Sequence, residues 1–459
     1  MSKLAFLVAA TFFMEVLDAT ILTTALPHMA DSMGAAAVDL DVGVSIYSLT
    51  LAVFILPGAW LVERLGARPV FTSAIVIFTL SSIACGFSQG PISFDIARAV
   101  QGVGGALMVP VGRLVVLRVT PKSEVMRAVA VLTWPGLTAP LIGPPLGGYL
   151  ADTISWRAIF FVNVPLGIAG ALLALRWTPR LESQPPRPFD VLGFALAGGA
   201  LGSALIGLDR FSGGHADVYA LGLAALCVAC GVAMAVHVRT SAHPIVDARP
   251  FAYATFARSI TGGTAARIAL SGVPFVLPLM FQLGMGWDAT RAGLMLAPLF
   301  VGNIGIKPAT TAILRFGGFR RVLLVNGALQ IATLIGCACL GATTPVYLIA
   351  ALLVISGASR SMHFTSVGTL PFSDVPPEEM SMANVIFSVS FQGSVAFGVG
   401  YGAAAIKLGT WLAPAPPLAA FHFAFLALAL LMFVAWLDHW RLAANAGAVL
   451  ANAVKDKTK

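Results

Sequence analysis

At 459 residues, 58% hydrophobic and only 10% charged, the chain is not an ordinary soluble protein, in which about 25% of residues carry charge. The composition fits a polytopic helical membrane protein, and 46 glycines suit close helix packing in lipid. The formal charge of +8 does not point to nucleic acid, because the basic residues fall in loops between apolar runs, the placement that orients membrane chains.

A membrane-spanning helix needs about 20 apolar residues. Runs bounded by charge, proline or glycine predict an all-α chain of fourteen spans, at 5–27, 42–62, 70–88, 93–117, 128–151, 157–176, 190–208, 217–238, 257–283, 291–314, 321–341, 345–367, 380–405 and 417–438. The first run has no small-residue cleavage site and is expected to be a span, not a cleavable signal. One set of loops holds Arg64 and Arg68, then Arg118, Lys122 and Arg127, then Arg180 and Arg187, then Arg239 and Arg249, then Arg315, Arg320 and Arg321. The tail adds Arg441, Lys455, Lys457 and Lys459, whereas the alternate loops carry Asp31, Asp39, Asp41, Asp209, Arg210, Asp217 and Asp288. This asymmetry places both termini in the cytoplasm.

A weak repeat relates Arg64-Leu-Gly66-Ala-Arg68-Pro-Val70 to Arg315-Phe-Gly317-Gly-Phe-Arg320-Arg321-Val322. The expected organisation is a six-helix bundle at 1–178, a linker and two inserted spans at 179–250, a second six-helix bundle at 251–441 and a cytoplasmic tail at 442–459. Duplicated six-span bundles are a transporter architecture, with the substrate site near the membrane midplane. The five cysteines all lie within apolar runs, and Cys227-x-x-Cys230 has no His or acidic neighbour in sequence. Packing, not redox or metal chemistry, is expected of them.

The first span carries Phe13-Met-Glu15-Val-Leu-Asp18-Ala-Thr20-Ile-Leu-Thr-Thr24-Ala-Leu-Pro27. Glu15 and Asp18, three apart, share one helix face. Carboxylates at membrane depth are rare and functional by default, and a desolvated pair could exchange protons near neutral pH. Thr20 and Thr24 add polar atoms. Leu17-Asp18-x-Thr20-Ile21-x-x-x-Ala25-Leu26-Pro27 resembles the first-span signature of the fourteen-span drug:proton antiporter family of the major facilitator superfamily. Next, Gly58-Ala-Trp-Leu-Val-Glu63-Arg64-Leu-Gly66-Ala-Arg68-Pro69-Val70 reads as a charged hairpin at the membrane face. It is similar to that superfamily's loop between helices 2 and 3, with Glu63, Ala67 and Pro69 as departures.

In the fourth span, Arg98, Gln101, Gly102 and Gly105 lie on one face, and a membrane Arg needs a partner that the glycines would let approach. The string resembles the superfamily's Arg-x-x-Gln-Gly motif, in which the Arg is associated with proton transfer. Arg113 follows on roughly the same side. The fifth span reads Trp134-Pro135-Gly136-Leu-Thr-Ala139-Pro140-Leu-Ile-Gly143-Pro144-Pro145-Leu-Gly147-Gly148. Neighbouring helices can re-satisfy backbone groups freed by proline in lipid, so a kinked helix with a very close contact is expected. Gly143-Pro144-x-x-Gly147-Gly148 resembles the superfamily's antiporter motif, with Ala139 replacing its leading Gly. Trp156-Arg157-x-x-Phe160-x-x-Asn163-x-Pro165-x-Gly167 is similar to the sixth-span start of the same family. In the second half, Arg267, Gln282 and the stripe Asn384, Ser388 and Gln392 are cavity candidates. Asn303 with Lys307, and Arg360 with His363, are polar pairs near span ends.

The resemblance implies a major facilitator fold with two inserted helices and a proton-coupled efflux transporter of a bacterial inner membrane. It implies proton coupling by Asp18, Glu15 and Arg98, and gating by Gly58, Glu63, Arg64, Gly66, Arg68, Gly143, Pro144, Gly147 and Gly148. Substrate-cavity candidates are Thr20, Thr24, Gln101, Arg113, Arg267, Gln282, Asn384, Ser388 and Gln392. The expected substrates are small amphipathic or cationic compounds. The alternative is a proton-coupled exporter of one metabolite, such as an amino acid or other natural product. An enzyme is not expected, since no Ser-His-Asp set, metal-spaced His cluster or phosphate-binding Gly-Lys loop is present. No cofactor or metal is expected, with the proton as coupling ion. The expected partners are a small-molecule substrate and the lipid bilayer, with no nucleic acid, and the protein is expected to be a monomer.

Overall fold

Backbone N–H and C=O groups in lipid must find partners within their own segment or a closed barrel, so long apolar runs become helices. The structure is a computed structural model that describes residues 3–120, 125–179, 188–212, 217–241, 244–413, 415–444 and 446–447, and no strand occurs among them. The first helices are α1 (Lys3–Ile21), α2 (Leu26–Met33), α3 (Asp41–Phe54), α4 (Gly58–Leu65), α5 (Ala67–Gly86) and α6 (Pro91–Val119). Next come α7 (Val125–Thr153), α8 (Ala158–Phe161), α9 (Asn163–Trp177), α10 (Val191–Ser212) and α11 (Val218–Thr240). The remainder are α12 (Ala254–Leu279), α13 (Ala289–Gly305), α14 (Lys307–Gly317), α15 (Phe319–Ala338), α16 (Val346–Thr369), α17 (Met380–Leu412) and α18 (Pro417–His439).

By length and composition, 12 helical stretches among the described residues can cross a membrane, and the pair α13–α14, bent by 50°, would make 13 as one span. The chain is therefore an all-helical, multi-pass membrane protein. Two of the fourteen apolar runs fall outside the twelve. The run 291–314 breaks at Ile306, because Pro308 lies in the first turn of α14 and its missing N–H cannot continue a helix. The run 128–151 is α7, a 29-residue helix holding four prolines.

The expected charged hairpin at 58–70 takes another form. Gly58 to Leu65 is the short helix α4, and the turn is confined to Gly66, at φ 84°. Such a φ costs glycine nothing and other residues dearly. The second half repeats this geometry at Gly318, φ 71°, between α14 and α15. In each half an arginine just past the glycine reaches the end of that half's last long helix. Arg68 Nε donates to the Thr178 carbonyl at 2.6 Å, and Arg320 Nη2 donates to the Trp440 carbonyl at 3.0 Å. The repeat seen in sequence is thus a repeat of backbone and of hydrogen bonding.

The chain forms two compact units, the first comprising Met1–Gly207, Asp217–Ile245 and Trp287–Leu294, the second Leu208–Ala216, Val246–Gly286 and Met295–Lys459. The inserted pair α10–α11 falls mainly with the first. There Phe194 of α10 packs on Phe54 of α3, and Phe189, just before α10, packs on Trp60 of α4, with ring centroids 5.3 and 4.9 Å apart. α11 buries little, Ala220 being its buried residue. The first unit's core is α1, α5 and α6 interleaved through Leu7, Met14, Phe71, Phe78 and Met108. The second unit pairs α12 with α17 and α15 with α18. The linker residues Arg180 to Arg187, Lys122 and the tail from 448 lie outside the described residues.

Candidate functional site: a buried carboxylate held by five helices

Asp18 lies in the middle of the first unit and is 1% exposed, as is Arg98. An ion in that setting must be paired and hydrogen-bonded. Its Oδ2 accepts from Arg98 Nη1 at 2.6 Å, and its Oδ1 accepts from Gln101 Nε2 at 2.9 Å and Asn163 Nδ2 at 2.8 Å. The donors themselves are held. Arg98 Nη1 also donates to Gln101 Oε1 at 2.7 Å, Arg98 Nε donates to the Gly43 carbonyl at 3.3 Å, and the guanidinium lies 4.3 Å from the Tyr47 ring centre. Asn163 Nδ2 donates to Ser82 Oγ at 3.1 Å, and Ser82 Oγ donates to the Phe160 carbonyl at 2.9 Å.

Five elements therefore share one network around this carboxylate: α1 with Asp18, α6 with Arg98 and Gln101 and α9 with Asn163 at the carboxylate itself, and behind them α3 with Gly43 and Tyr47 and α5 with Ser82. The spacing of Arg98 and Gln101, one helical turn apart, aims both donors at the same acceptor. Charge-assisted hydrogen bonds of this kind are about twice as strong as neutral ones. Removing one member of such a buried pair costs about 3–5 kcal/mol, because it strands the other charge. Anything that neutralises Asp18 weakens the acceptor on which three donor atoms, from α6 and α9, converge.

Glu15 is separate. It is 7% exposed, and its Oε2 is buried with no hydrogen-bond partner among the described residues. The Tyr47 hydroxyl, also buried and without a partner among the described residues, lies nearby, since both border the space beside Gly105. Asp18 and Glu15 thus share a helix face as expected, but only Asp18 joins the Arg98 cluster.

The other site residues divide by position. Gln101 belongs to the Asp18 cluster. Thr20 and Thr24 turn back onto their own helix, with Thr20 Oγ1 donating to the Val16 carbonyl at 2.9 Å. Thr24 Oγ1 also donates across to the Pro144 carbonyl at 3.1 Å. α7 lies so close to α1 that an added Cβ at Gly143 would meet Thr20 Oγ1, and one at Gly147 would overlap the Ile21 carbonyl. An added Cβ at Gly148 would overlap the Ala289 carbonyl within the same unit. The expected close contact of the fifth run is present at three residues of its motif, and α7 remains one continuous helix through its prolines. Gly58 is different: a Cβ there would make only ordinary contact with Leu107, at 3.5 Å. Glu63 is half-buried on α4, and Arg64 lies 5.1 Å from the Trp60 ring centre. Arg113 is exposed and does not reach the cluster that holds Arg98.

In the second unit, Arg267 is 1% exposed. Its Nη2 donates to Thr264 Oγ1 at 2.9 Å and Ser390 Oγ at 2.8 Å, its Nε donates to Ser394 Oγ at 3.4 Å, and its guanidinium lies 5.2 Å from the Phe387 ring centre. Asn384, Ser388 and Gln392 lie on a different face of α17 and take no part in this set. Gln282 is buried in the π-helical turn Met280–Gly284, and its Nε2 donates to the Pro278 carbonyl at 3.3 Å. Lys307 Nζ donates to Thr365 Oγ1 at 3.1 Å. Nothing in the sequence marks Tyr47, Ser82, Ser390 and Ser394 as site members, and Asn163 stands out there only as part of a motif. Neutral polar residues in apolar runs carry little signal until the opposing helix is known.

Residues 8–400 match the Major Facilitator Superfamily. The chain is 37% identical over 399 residues to a protein of Escherichia fergusonii named "Putative multidrug resistance protein MdtD", covering 86% of this chain and 83% of that one. The protein of the same name from Shigella flexneri matches equally, at 37% over 399 residues with the same coverage. Among solved structures, a POT family transporter in complex with 5-aminolevulinic acid aligns with TM-score 0.69 at 14% identity, over 97% of this chain and 96% of that one. A bacterial homologue of the human lysosomal transporter Spinster aligns with TM-score 0.68 at 13% identity, over 95% of each chain.

Proposed function

Because the chain belongs to the major facilitator superfamily, we propose that it is a proton-coupled multidrug efflux transporter in which Asp18 is the coupling carboxylate. The observation that carries this reading is the donor set on Asp18, drawn from two other helices and including a buried arginine. While Asp18 is ionised, α1, α6 and α9 are tied together through it. Proton uptake abolishes the ion pair and releases Arg98 and Asn163 to other acceptors. A coupling ion can bias alternating access only through such a difference between the two arrangements. Glu15, with one buried carboxylate oxygen unpartnered among the described residues, is the second proton site or the group that meets a cationic substrate.

The name of the relatives supports drugs as cargo, and the two carboxyl groups of α1 favour small amphipathic or cationic ones. The cavity candidates remain Thr20, Thr24, Gln101, Arg113, Arg267, Gln282, Asn384, Ser388 and Gln392. In this reading the spans number fourteen, the twelve long apolar stretches plus α7 and the bent pair α13–α14. Both termini lie in the cytoplasm, the membrane is a bacterial inner membrane, and the transporter works as a monomer, with no cofactor beyond the proton and no nucleic acid. Growth inhibition across a chemical panel, in an efflux-deficient host expressing wild type or Asp18→Asn, tests the reading. Resistance to several unrelated compounds that Asp18→Asn abolishes supports it. Protection against a single natural product points to a dedicated exporter, and no protection from any compound overturns it.

A further inference from the structure

The second copy of the glycine-turn motif carries two basic side chains, Arg315 and Arg321, whose roles differ from those of the first copy. In the first half the glycine turn is followed by Arg68 and Pro69; in the second, Gly318 is followed by Phe319, Arg320 and Arg321. Arg320 takes the part of Arg68, since each donates to the carbonyl at its half's last long helix. Arg321 stands where the first half has proline, and Arg315 lies just before the turn.

These three arginines line one cavity of ≈ 760 Å³ at the ends of α14, α15 and α18, together with Trp436 and Trp440. No carboxylate is among its lining residues, as far as the described residues go. Asp438, next along α18, is 3.8 Å from Arg441 instead. Two guanidinium nitrogens, Arg315 Nε and Arg320 Nε, are buried without a hydrogen-bond partner among the described residues. A second cavity, of ≈ 450 Å³, shares Gly317, Arg321 and Val325 with the first. Its walls are mainly aliphatic, including Ile306, Ile313, Leu329 and Ile355. A basic chamber flanked by tryptophan therefore opens along its edge into an apolar one.

We propose that this double cavity is a binding site for one anionic phospholipid, with the phosphate among Arg315, Arg320 and Arg321 and an acyl chain along Ile313, Val325 and Leu329. Charge complementarity selects the headgroup, because a cationic chamber at a membrane interface without a carboxylate of its own attracts anionic lipid. Arginine supplies the planar donors that fit phosphate oxygens. The tryptophans fit the same depth, since their rings prefer the headgroup region. The apolar cavity distinguishes a lipid from a free phosphate, which would leave it unfilled. The basic C-terminal segment, with Lys455, Lys457 and Lys459, does not complement the chamber's charge.

The test uses the purified full-length protein in detergent, with native mass spectrometry for bound lipid and thermal unfolding as a second readout. The probes are phosphatidylglycerol, phosphatidylcholine and inorganic phosphate. The expected result is one retained phosphatidylglycerol per chain and a rise in unfolding temperature that neither other probe gives. Arg315→Gln with Arg321→Gln, leaving the structural Arg320 in place, should lower retention at least tenfold. The corresponding Lys pair should keep much of it. Val325→Trp, at a position 67% exposed, should lower retention by filling the shared edge, and it keeps the test open if the double variant fails to fold. Equal retention of phosphatidylcholine, or retention unchanged in the glutamine pair and in Val325→Trp, overturns the site. Equal stabilisation by inorganic phosphate overturns the lipid and leaves a phosphate site.

Discussion

Asn163 is the donor to Asp18 that comes from the most distant part of the first unit's sequence, and its contribution can be isolated. Asn163→Leu keeps the apolar volume but leaves Asp18 Oδ1 with Gln101 alone. Losing one hydrogen bond to a charged group costs about 1.5–3 kcal/mol, so proton-driven transport should fall roughly tenfold or more, with the protein still inserted. Transport assays at matched expression check this, and a parental rate would remove Asn163 from the coupling cluster. Asp18, Arg98 and Gln101 were legible in the sequence because a charge inside an apolar run is costly and therefore conspicuous. Tyr47, Ser82, Ser390 and Ser394 were not. Their side chains are ordinary in helices, and their roles arise only from the helix packed opposite. Arg113 shows the converse: its charge drew notice, but four turns of helix carried it away from the face that holds Arg98.

At the level of helices, the sequence located nearly every element but not the breaks within them. Apolar run length reports burial in lipid, whereas Pro57 and Pro308 act on the backbone, so the runs 42–62 and 291–314 each became two helices. The close approach of the fifth run was readable because glycines four apart leave a groove for a neighbouring backbone. Gly148→Leu tests it. Overpacking such a site typically costs 1–3 kcal/mol, and with Ala289's carbonyl in the way, transport should be lost while membrane insertion persists. Transport at the wild-type rate would show that the contact is dispensable.

The inserted pair has its own fastening. Asp190 accepts from the Gly193 amide at 2.8 Å, the Ile245 amide at 2.9 Å and His237 Nε2 at 2.8 Å. Burial opposes ionisation of Asp190, but these hydrogen bonds outweigh it and hold the carboxyl below its ordinary value. A depressed folded-state value means that the stabilisation is present above the unfolded value, about 4, and is lost as pH falls through the folded one. Asp190→Ala should therefore lower the thermal stability of the protein by a similar amount at pH 6 and pH 8, with the difference shrinking below about pH 4. A difference that grows on acidification would contradict the assignment.

For the whole molecule, topology and coupling are the two properties that decide its work. Reporter fusions within 180–187 and after Arg441 should both report the cytoplasm. Opposite sides for the two would refute the fourteen-span arrangement, since the tail and the linker must share a face in it. The coupling claim is tested most directly by proton-driven uptake of an effluxed compound into inverted membrane vesicles, comparing wild type with Asp18→Asn at equal protein levels. Asparagine keeps the shape and most of the hydrogen bonding but cannot exchange a proton. The expected result is uptake that collapses with the proton gradient in wild type and is absent in Asp18→Asn, with compound binding retained. Gradient-driven uptake by Asp18→Asn at the wild-type rate would contradict the role of the Asp18–Arg98 pair.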